Sequence, residues 1–502
     1  MKVKKIFAPS PFTVLAICLI LAAIATWIFP AGKYSTISYD DADDVFMVAS
    51  YDSTYSLQAD DASLKSLGIS IVADKFRSGD ISRPIAIPGT YQLRSRNPQG
   101  LVELAQAPIE GIYEAMDIIL LVLIIGGFIG VFKVSGMFEA GVQWLAQKLK
   151  GRESLLIVFV TALIAIGGTT FGMAEETLAF YPILVPIFLA AGYDTIIPVA
   201  AIYGGSSIGT MFSSVNPFAV IIASDAGGVN WTSGIEMRVV GLLIGTGICI
   251  WYILRYAHRV KQDPSRSLLY GKNVHPPAAT QSIHAEGDKH VMDARKWLLT
   301  TLFVFTFLLM IIGVSGLHWW LLEMTTLFLV SAVIAGFIMW KGERTFIQAF
   351  LKGAEEMLGV AIIIGIARGV TILLNNGQIS DTMLHSASTL VQGMPGVAFV
   401  VVLFFIFMFL TIFISSSSGM AVLTMPIMGP LARVVNVPVE QVVNAYLMGF
   451  GVMTFITPTG LILPSLVMVD VSFGTWLKFI TPLLLILSVA SILFLTAGVM
   501  MS

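Results

Sequence analysis

Four clusters of small polar residues interrupt runs that are otherwise apolar. Residues 167–172 carry Thr169 and Thr170, and residues 213–217 carry Ser213, Ser214 and Asn216. Residues 415–419 hold Ser415, Ser416, Ser417 and Ser418. Residues 457–460 hold Thr457 and Thr459, with Thr454 just before them. Non-helical backbone inside a membrane survives only where protein buries it or where it lines a cavity. A helix broken there exposes N–H groups at one end, which suit a carboxylate. It exposes carbonyls at the other, which suit a cation or ammonium. A single Ser or Thr can simply return its hydroxyl to a helix carbonyl. Paired clusters point instead to a site for a small substrate or an ion.

Three charges belong with these clusters. Glu175 and Glu176 follow Gly172-Met173-Ala174 at the first cluster. A carboxylate inside a membrane is costly and marks a functional position by default. It could hold a proton, Na⁺ or a cationic group of a substrate, or it could serve as N-terminal charge for a helix over 175–191. Neighbouring helical residues point about 100° apart, so one of the two faces the site. Arg368 sits in the middle of the apolar run 356–375 and calls for an acid partner or a substrate carboxylate. Cys18 and Cys249 are isolated in apolar runs and read as packing thiols, not metal ligands. There is no Gly-Lys-Ser/Thr phosphate loop and no His-Glu-x-x-His. Neither an enzyme nor a bound cofactor is expected. Work would be driven by an ion gradient, with Na⁺ or H⁺ as coupling ion, or by a counter-substrate.

The elements that must position these groups follow from composition. The chain has 502 residues, 56% hydrophobic and 12% charged. Soluble chains carry roughly 25% charged residues. A chain this poor in charge needs a lipid bilayer as solvent for most of its surface, which excludes a soluble enzyme and a nucleic-acid partner. Residues 1–30 read as a first transmembrane helix behind Lys2, Lys4 and Lys5, with the N-terminus cytoplasmic. Residues 31–104 are acidic and alternate near 45–49 and 69–72, the mark of a small strand-containing extracytoplasmic insert. Residues 258–296 are basic, with four histidines at irregular spacing, and read as a cytoplasmic linker.

An internal repeat organises the rest. Gln106-Ala107 through Gly111 matches Gln348-Ala349 through Gly353, and Pro182/Pro186 match Pro426/Pro430. The polar clusters match too, all at offsets of 242–248 residues. Repeat 1 covers 105–257, with a re-entrant hairpin over 154–191 and a broken helix over 196–225. Repeat 2 covers 347–502, with a hairpin over 396–435 and a broken helix over 439–469. Lys148, Lys150 and Arg152 put one end of the first copy's amphipathic stretch (137–149) inside, while the equivalent stretch 379–391 has no Lys or Arg. The predicted fold is thus an all-α polytopic membrane protein with two inverted-topology repeats, a hallmark of secondary transporters, and an extracytoplasmic C-terminus.

The chain closely resembles the YfcC family of bacterial membrane proteins. These are grouped with anaerobic C4-dicarboxylate carriers and ArcD-type basic amino acid antiporters in a wider ion-transporter superfamily. The matching residues include Pro30-Ala31-Gly32-Lys33-Tyr34, Pro88-Gly89-Thr90-Tyr91, Gly172-Met173-Ala174-Glu175-Glu176-Thr177, Tyr181-Pro182-Ile183-Leu184-Val185-Pro186, Asn216-Pro217-Phe218 and Ala367-Arg368-Gly369. The resemblance implies an elevator-type carrier of the bacterial inner membrane. It would be a homodimer with a scaffold that includes residues 297–346 and a mobile part made of the hairpins and broken helices. Relatives carry Pro-Ser-Gly-Ser-Gly-Gln at the second hairpin tip, where this chain has Ser415 to Ser418, Gly419 and Met420. Glu175 and Glu176 with little countercharge favour a basic amino acid as substrate. A C4-dicarboxylate anchored by Arg368 is the alternative, and a membrane-embedded sensor without flux is a third reading.

Overall fold

The computed structural model describes residues 10–50, 53–69, 71–77, 81, 84–138, 140, 152–271, 293–317 and 319–501. Lys2, Lys4, Lys5, Lys148, Lys150 and most of the 258–296 loop lie outside the described residues. Helix α1 (Pro11–Ile28) starts at Ser10, whose hydroxyl accepts from the Thr13 N–H.

A small folded insert follows. Strands β1 (Gly32–Lys33) and β6 (Gln92–Leu93) pair antiparallel. Strands β2 (Thr36–Asp40), β3 (Val45–Ala49), β4 (Thr54–Gln58) and β5 (Ile85–Ala86) form an antiparallel sheet in the order β4-β3-β2-β5. The alternation predicted at 45–49 is β3 itself, with Phe46 and Val48 turned inward. No strand forms at Ile69 or Ile71 among the described residues; both are buried in the link between the short helices α2 (Asp61–Ser66) and α3 (Asp74–Arg77). Phe46 and Phe76 meet edge-on in the insert core, ring centroids 5.0 Å apart. On its surface the Arg77 guanidinium, with the Tyr39 hydroxyl, holds the Asp44 carboxyl below the usual carboxylate range.

The helical body begins with α4 (Leu101–Glu114) and α5 (Met116–Val134). Next come α6 (Ser154–Thr170), a 3₁₀ turn (Glu175–Phe180), α7 (Tyr181–Ala190) and α8 (Ile196–Met211). A π-helical turn (Pro217–Ile221) leads into α9 (Ile222–Gly227), then α10 (Ile235–Gln262). The second half has α11 (Ala294–Gly316), α12 (Leu321–Met339), α13 (Glu343–Asn376) and α14 (Ser380–Val391). It closes with α15 (Gly396–Thr411), α16 (Ser417–Val434), α17 (Val439–Thr454), α18 (Ile462–Val467) and α19 (Phe473–Met501). Seven of the described helices (α1, α5, α10, α11, α12, α13 and α19) are long and apolar enough to cross a membrane.

Glycines set the closest helix approaches. A Cβ on Gly353 of α13 would stand 2.2 Å from the Gly126 carbonyl oxygen of α5. One on Gly111 of α4 would stand 2.2 Å from the Gly365 carbonyl oxygen. Helices pack this tightly in lipid only through small residues. An ion pair, Lys133 Nζ to Glu356 Oε1 at 3.2 Å, ties the C-terminal end of α5 to α13. The two helices α6 and α8 make an equally tight contact, in which Gly209 abuts the Ala165 carbonyl and Gly168.

Candidate functional site

The first site half forms where α6 ends against the break after α8. Gly172 takes a left-handed conformation (φ +78) that turns the chain. A Cβ there would also lie 2.8 Å from Asn216 Oδ1. Thr169 is buried. Its hydroxyl donates to the Phe212 carbonyl at 2.8 Å and accepts from the Ser214 N–H at 2.9 Å. The Ser214 hydroxyl returns to the Thr169 carbonyl at 3.2 Å. Asn216 works in both directions. Its Nδ2 donates to the Gly168 carbonyl (2.9 Å), while its Oδ1 accepts from the Phe218 and Ala219 N–H groups (2.9 and 3.2 Å). Asn216 is thus the N-cap of the resumed helix and the clasp that ties it to the hairpin tip. The Ser206 hydroxyl donates to the Met173 carbonyl and adds a third tie.

The second half is built in the same manner. The Ser415 hydroxyl donates to the Thr459 carbonyl (3.0 Å), and the Thr459 hydroxyl to the Ile412 carbonyl (3.3 Å). Ser416 caps α16, accepting from the Gly419 N–H at 3.2 Å. Among the described residues, two of the bonds that join the halves lie close to the breaks. Ser417 donates to the Phe218 carbonyl at 3.2 Å, and Tyr203 on α8 donates to the Thr454 carbonyl at 2.6 Å.

The structure therefore brings Thr169, Ser214 and Asn216 together, and Ser415 with Thr459. Other predicted residues serve their own helices. Thr170 returns its hydroxyl to Ile166, Ser213 to Thr210, Thr454 to Gly451 and Thr457 to Met453. Ser418 meets only the Ser416 hydroxyl, at 3.4 Å, among its described hydrogen bonds. Loss of the Thr169 hydroxyl should leave buried polar atoms unpaired and cost about 1–3 kcal/mol. Thr169→Val is thus expected to lower the melting temperature in detergent, and Thr170→Val to leave it nearly unchanged.

The charges take distinct places. Residues 175–180 are a 3₁₀ turn, not the start of an α-helix. Glu176 is buried, and its carboxylate accepts from the Ala174 N–H at 3.1 Å. Glu175 is half-buried and within the electrostatic reach of Arg368. Arg368 is already engaged, with Nε and Nη2 both 2.9 Å from Glu114 Oε1. Glu114 and Tyr203 did not emerge from sequence reasoning. Glu114 ends an amphipathic helix, where charge is ordinary, and Tyr203 is one hydroxyl in an apolar run. The matched acids Glu114 and Glu356, 242 residues apart, were the available signal.

The DcuC family, described as C4-dicarboxylate anaerobic carriers, matches residues 8–500. The chain belongs to the DcuC family. It is a multi-pass membrane protein of a transporter family. Two relatives lie within reach of this DcuC member. An uncharacterised protein of Haemophilus influenzae is 42% identical over 96% of this chain and 95% of its own. An Escherichia coli protein, provisionally named as the basic amino acid antiporter YfcC, is 30% identical over 75% of this chain and 77% of its own. Two solved structures are also similar. One is Neisseria gonorrhoeae MtrF, described among antimetabolite efflux pumps (16% identity, 99% and 96% coverage, TM-score 0.42). The other is the Alcanivorax borkumensis YdaH transporter (15% identity, 97% and 98% coverage, TM-score 0.40).

Proposed function

We propose that this DcuC-family protein is a secondary active transporter that exchanges a basic amino acid across the bacterial inner membrane. The charge balance around the hairpin tip carries the reading. Glu175 and Glu176 sit there, and the nearby Arg368 spends its charge on Glu114. A site left net negative favours an ammonium or guanidinium group over a second carboxylate. At the second break the first turn of α16 offers the Ser417 and Ser418 N–H groups for the amino acid's own carboxylate. The name of the Escherichia coli relative agrees with this substrate class.

The transport cycle proposed is an elevator stroke by two inverted repeats. Equivalent helices cross antiparallel, which is the support for inversion. Along α5 and α13, Gly126 meets Gly353 while Gly130 meets Ala349. Along α8 and α17, Met211 meets Gly451 while Tyr203 meets Thr454. Helices α6–α9 and α15–α18 would move as one body against a framework of α4, α5 and α11–α13. The protein would work as a homodimer with Na⁺ or H⁺ as coupling ion, the N-terminus cytoplasmic and the insert and C-terminus outside.

Counterflow in proteoliposomes tests the substrate. Vesicles loaded with arginine or ornithine should accumulate labelled arginine, and vesicles loaded with succinate or fumarate should not. Robust succinate exchange without arginine exchange would install the C4-dicarboxylate reading that the family's name suggests. Binding without any flux would point to a sensor. Glu114→Gln removes the acid that occupies Arg368 and leaves Glu175 as its remaining partner. Its expected effect is a rise in the KM for arginine of about tenfold, which corresponds to ~1.4 kcal/mol of lost binding. An unchanged KM would show that Arg368 does not compete for Glu175.

A further inference from the structure

Helix α10 divides lengthwise into two faces. Gly241, Gly245, Cys249 and Ile253 are buried against the rest of the molecule. On the other face Val240, Leu243, Ile244 and Trp251 are 45–69% exposed. In a membrane-crossing helix an apolar face this open is the one that meets lipid. The same stripe then runs into charge. Arg255 follows Trp251 by one helical turn and Arg259 follows Arg255 by another, so all three stand on one side of the helix. Both arginines are exposed. The Arg255 guanidinium lies over the Trp251 ring, 5.5 Å from its centroid. Among the described residues neither arginine forms an ion pair with an acid. The carboxylates at this end of α10 are engaged elsewhere: Glu153 with Lys261, Asp263 with Arg266, and Asp194 with the Tyr256 and Ser267 hydroxyls.

Depth along the helix decides what these arginines meet. The exposed apolar stretch is bounded by Glu236 at one end and Arg255 at the other, both exposed. Their separation is a rise of about 28 Å along the axis, close to the roughly 30 Å hydrocarbon core of a bilayer. Arg255 therefore sits at the level of the lipid phosphates, beside a tryptophan of the kind that marks that level. Arg259 lies one turn further out. We propose that Trp251, Arg255 and Arg259 form a binding site for the phosphate headgroup of an anionic phospholipid, whose acyl chains lie along Val240, Leu243 and Ile244. Guanidinium forks bind phosphate oxygens in pairs, and the indole beneath Arg255 holds one fork in place. The apolar stripe favours a phosphate that carries chains over one free in water. The site is independent of the substrate and of the transport cycle.

Native mass spectrometry of the full chain tests it, with release from dodecyl maltoside micelles supplied with dioleoyl phosphatidylglycerol or dioleoyl phosphatidylcholine. Retention of phosphatidylglycerol should exceed that of phosphatidylcholine about tenfold, and Arg255→Gln with Arg259→Gln should remove the preference. Arg255→Lys with Arg259→Lys keeps both charges and should keep most of it. Melting in the same micelles is a second readout. Phosphatidylglycerol should raise the melting temperature of the original chain and leave that of the Gln variant unchanged. Arg344→Gln with Lys352→Gln takes two exposed cations from α13 and should leave the preference intact. Glycerol 1-phosphate, the same headgroup chemistry without chains, should not compete. No preference in the original chain, an equal loss in the α13 variant, or full competition by glycerol 1-phosphate overturns the site. A change of oligomeric state in the Gln variant, read by light scattering, would make this face a contact between two copies and overturns it as well.

Discussion

Gly209→Val is expected to destabilise the fold by about 4 kcal/mol. A Cβ at this position on α8 would stand 2.4 Å from the Ala165 carbonyl oxygen and 2.8 Å from the Gly168 Cα and Thr169 N. All three are backbone atoms of α6, so no side chain can swing aside. Either the helices part, and the contacts along the crossing go with them, or the chain bends. Overpacking of this kind costs typically 1–3 kcal/mol where neighbours can give, and more where they cannot. Here the loss extends to the Thr169 and Asn216 bonds, because both start from the stretch of α6 that must move. A destabilisation of about 4 kcal/mol would lower the melting temperature of a chain this long by roughly 4 °C. Melting followed by size-exclusion chromatography in detergent checks it. The control is Gly247→Ala on α10, where a Cβ meets nothing within 4 Å. Removing a flexible glycine from an exposed helix interior should stabilise by up to about 1 kcal/mol. If Gly209→Val melts like Gly247→Ala, the α6–α8 crossing is not what holds the first half of the site.

How far the sequence revealed this architecture depends on range. Local interruptions were legible. Thr169 and Asn216 stood out because hydroxyls and amides inside apolar runs have few reasons to be there, and they do lie at helix ends that meet. The strand over 45–49 was legible from its alternation, since a period of two maps directly onto one buried face. What escaped was pairing across distance. Arg368 asked for an acid, but nothing local says that the acid is Glu114, 254 residues away. Tyr203 carries a hydroxyl like any tyrosine, and only the fold delivers it to the Thr454 carbonyl. The Glu175 region escaped for another reason. Acidic residues after a turn favour an α-helix start by dipole arguments, yet the chain continues as a 3₁₀ turn before Pro182 of α7. Several of the candidate hydroxyls donate locally rather than across the two halves. Thr170, Thr454 and Thr457 bond within their own helices, the ordinary behaviour of such side chains.

Glu175→Gln should abolish arginine counterflow while leaving the protein folded. The substitution keeps shape and removes one charge. Glu175 makes none of the described side-chain hydrogen bonds that hold the hairpin tip, whereas Glu176 accepts from the Ala174 N–H. A charge pair away from bulk water is worth several times its value at an exposed surface. Loss of about 3 kcal/mol would weaken exchange roughly 100-fold. Glu176→Gln should act differently, since a neutral amide oxygen can still accept the Ala174 bond; its exchange should fall less. Substrate and coupling ion are separated by the same variant. If Glu175 holds the cationic side chain of the substrate, arginine exchange disappears at every pH. If it holds the coupling proton instead, arginine–arginine exchange survives and only uptake driven by a pH gradient is lost. If the substrate is a dicarboxylate, removal of a negative charge at the tip should speed succinate exchange. Unaltered arginine exchange and unaltered gradient-driven uptake would remove Glu175 from the site altogether, and with it the case for a cationic substrate.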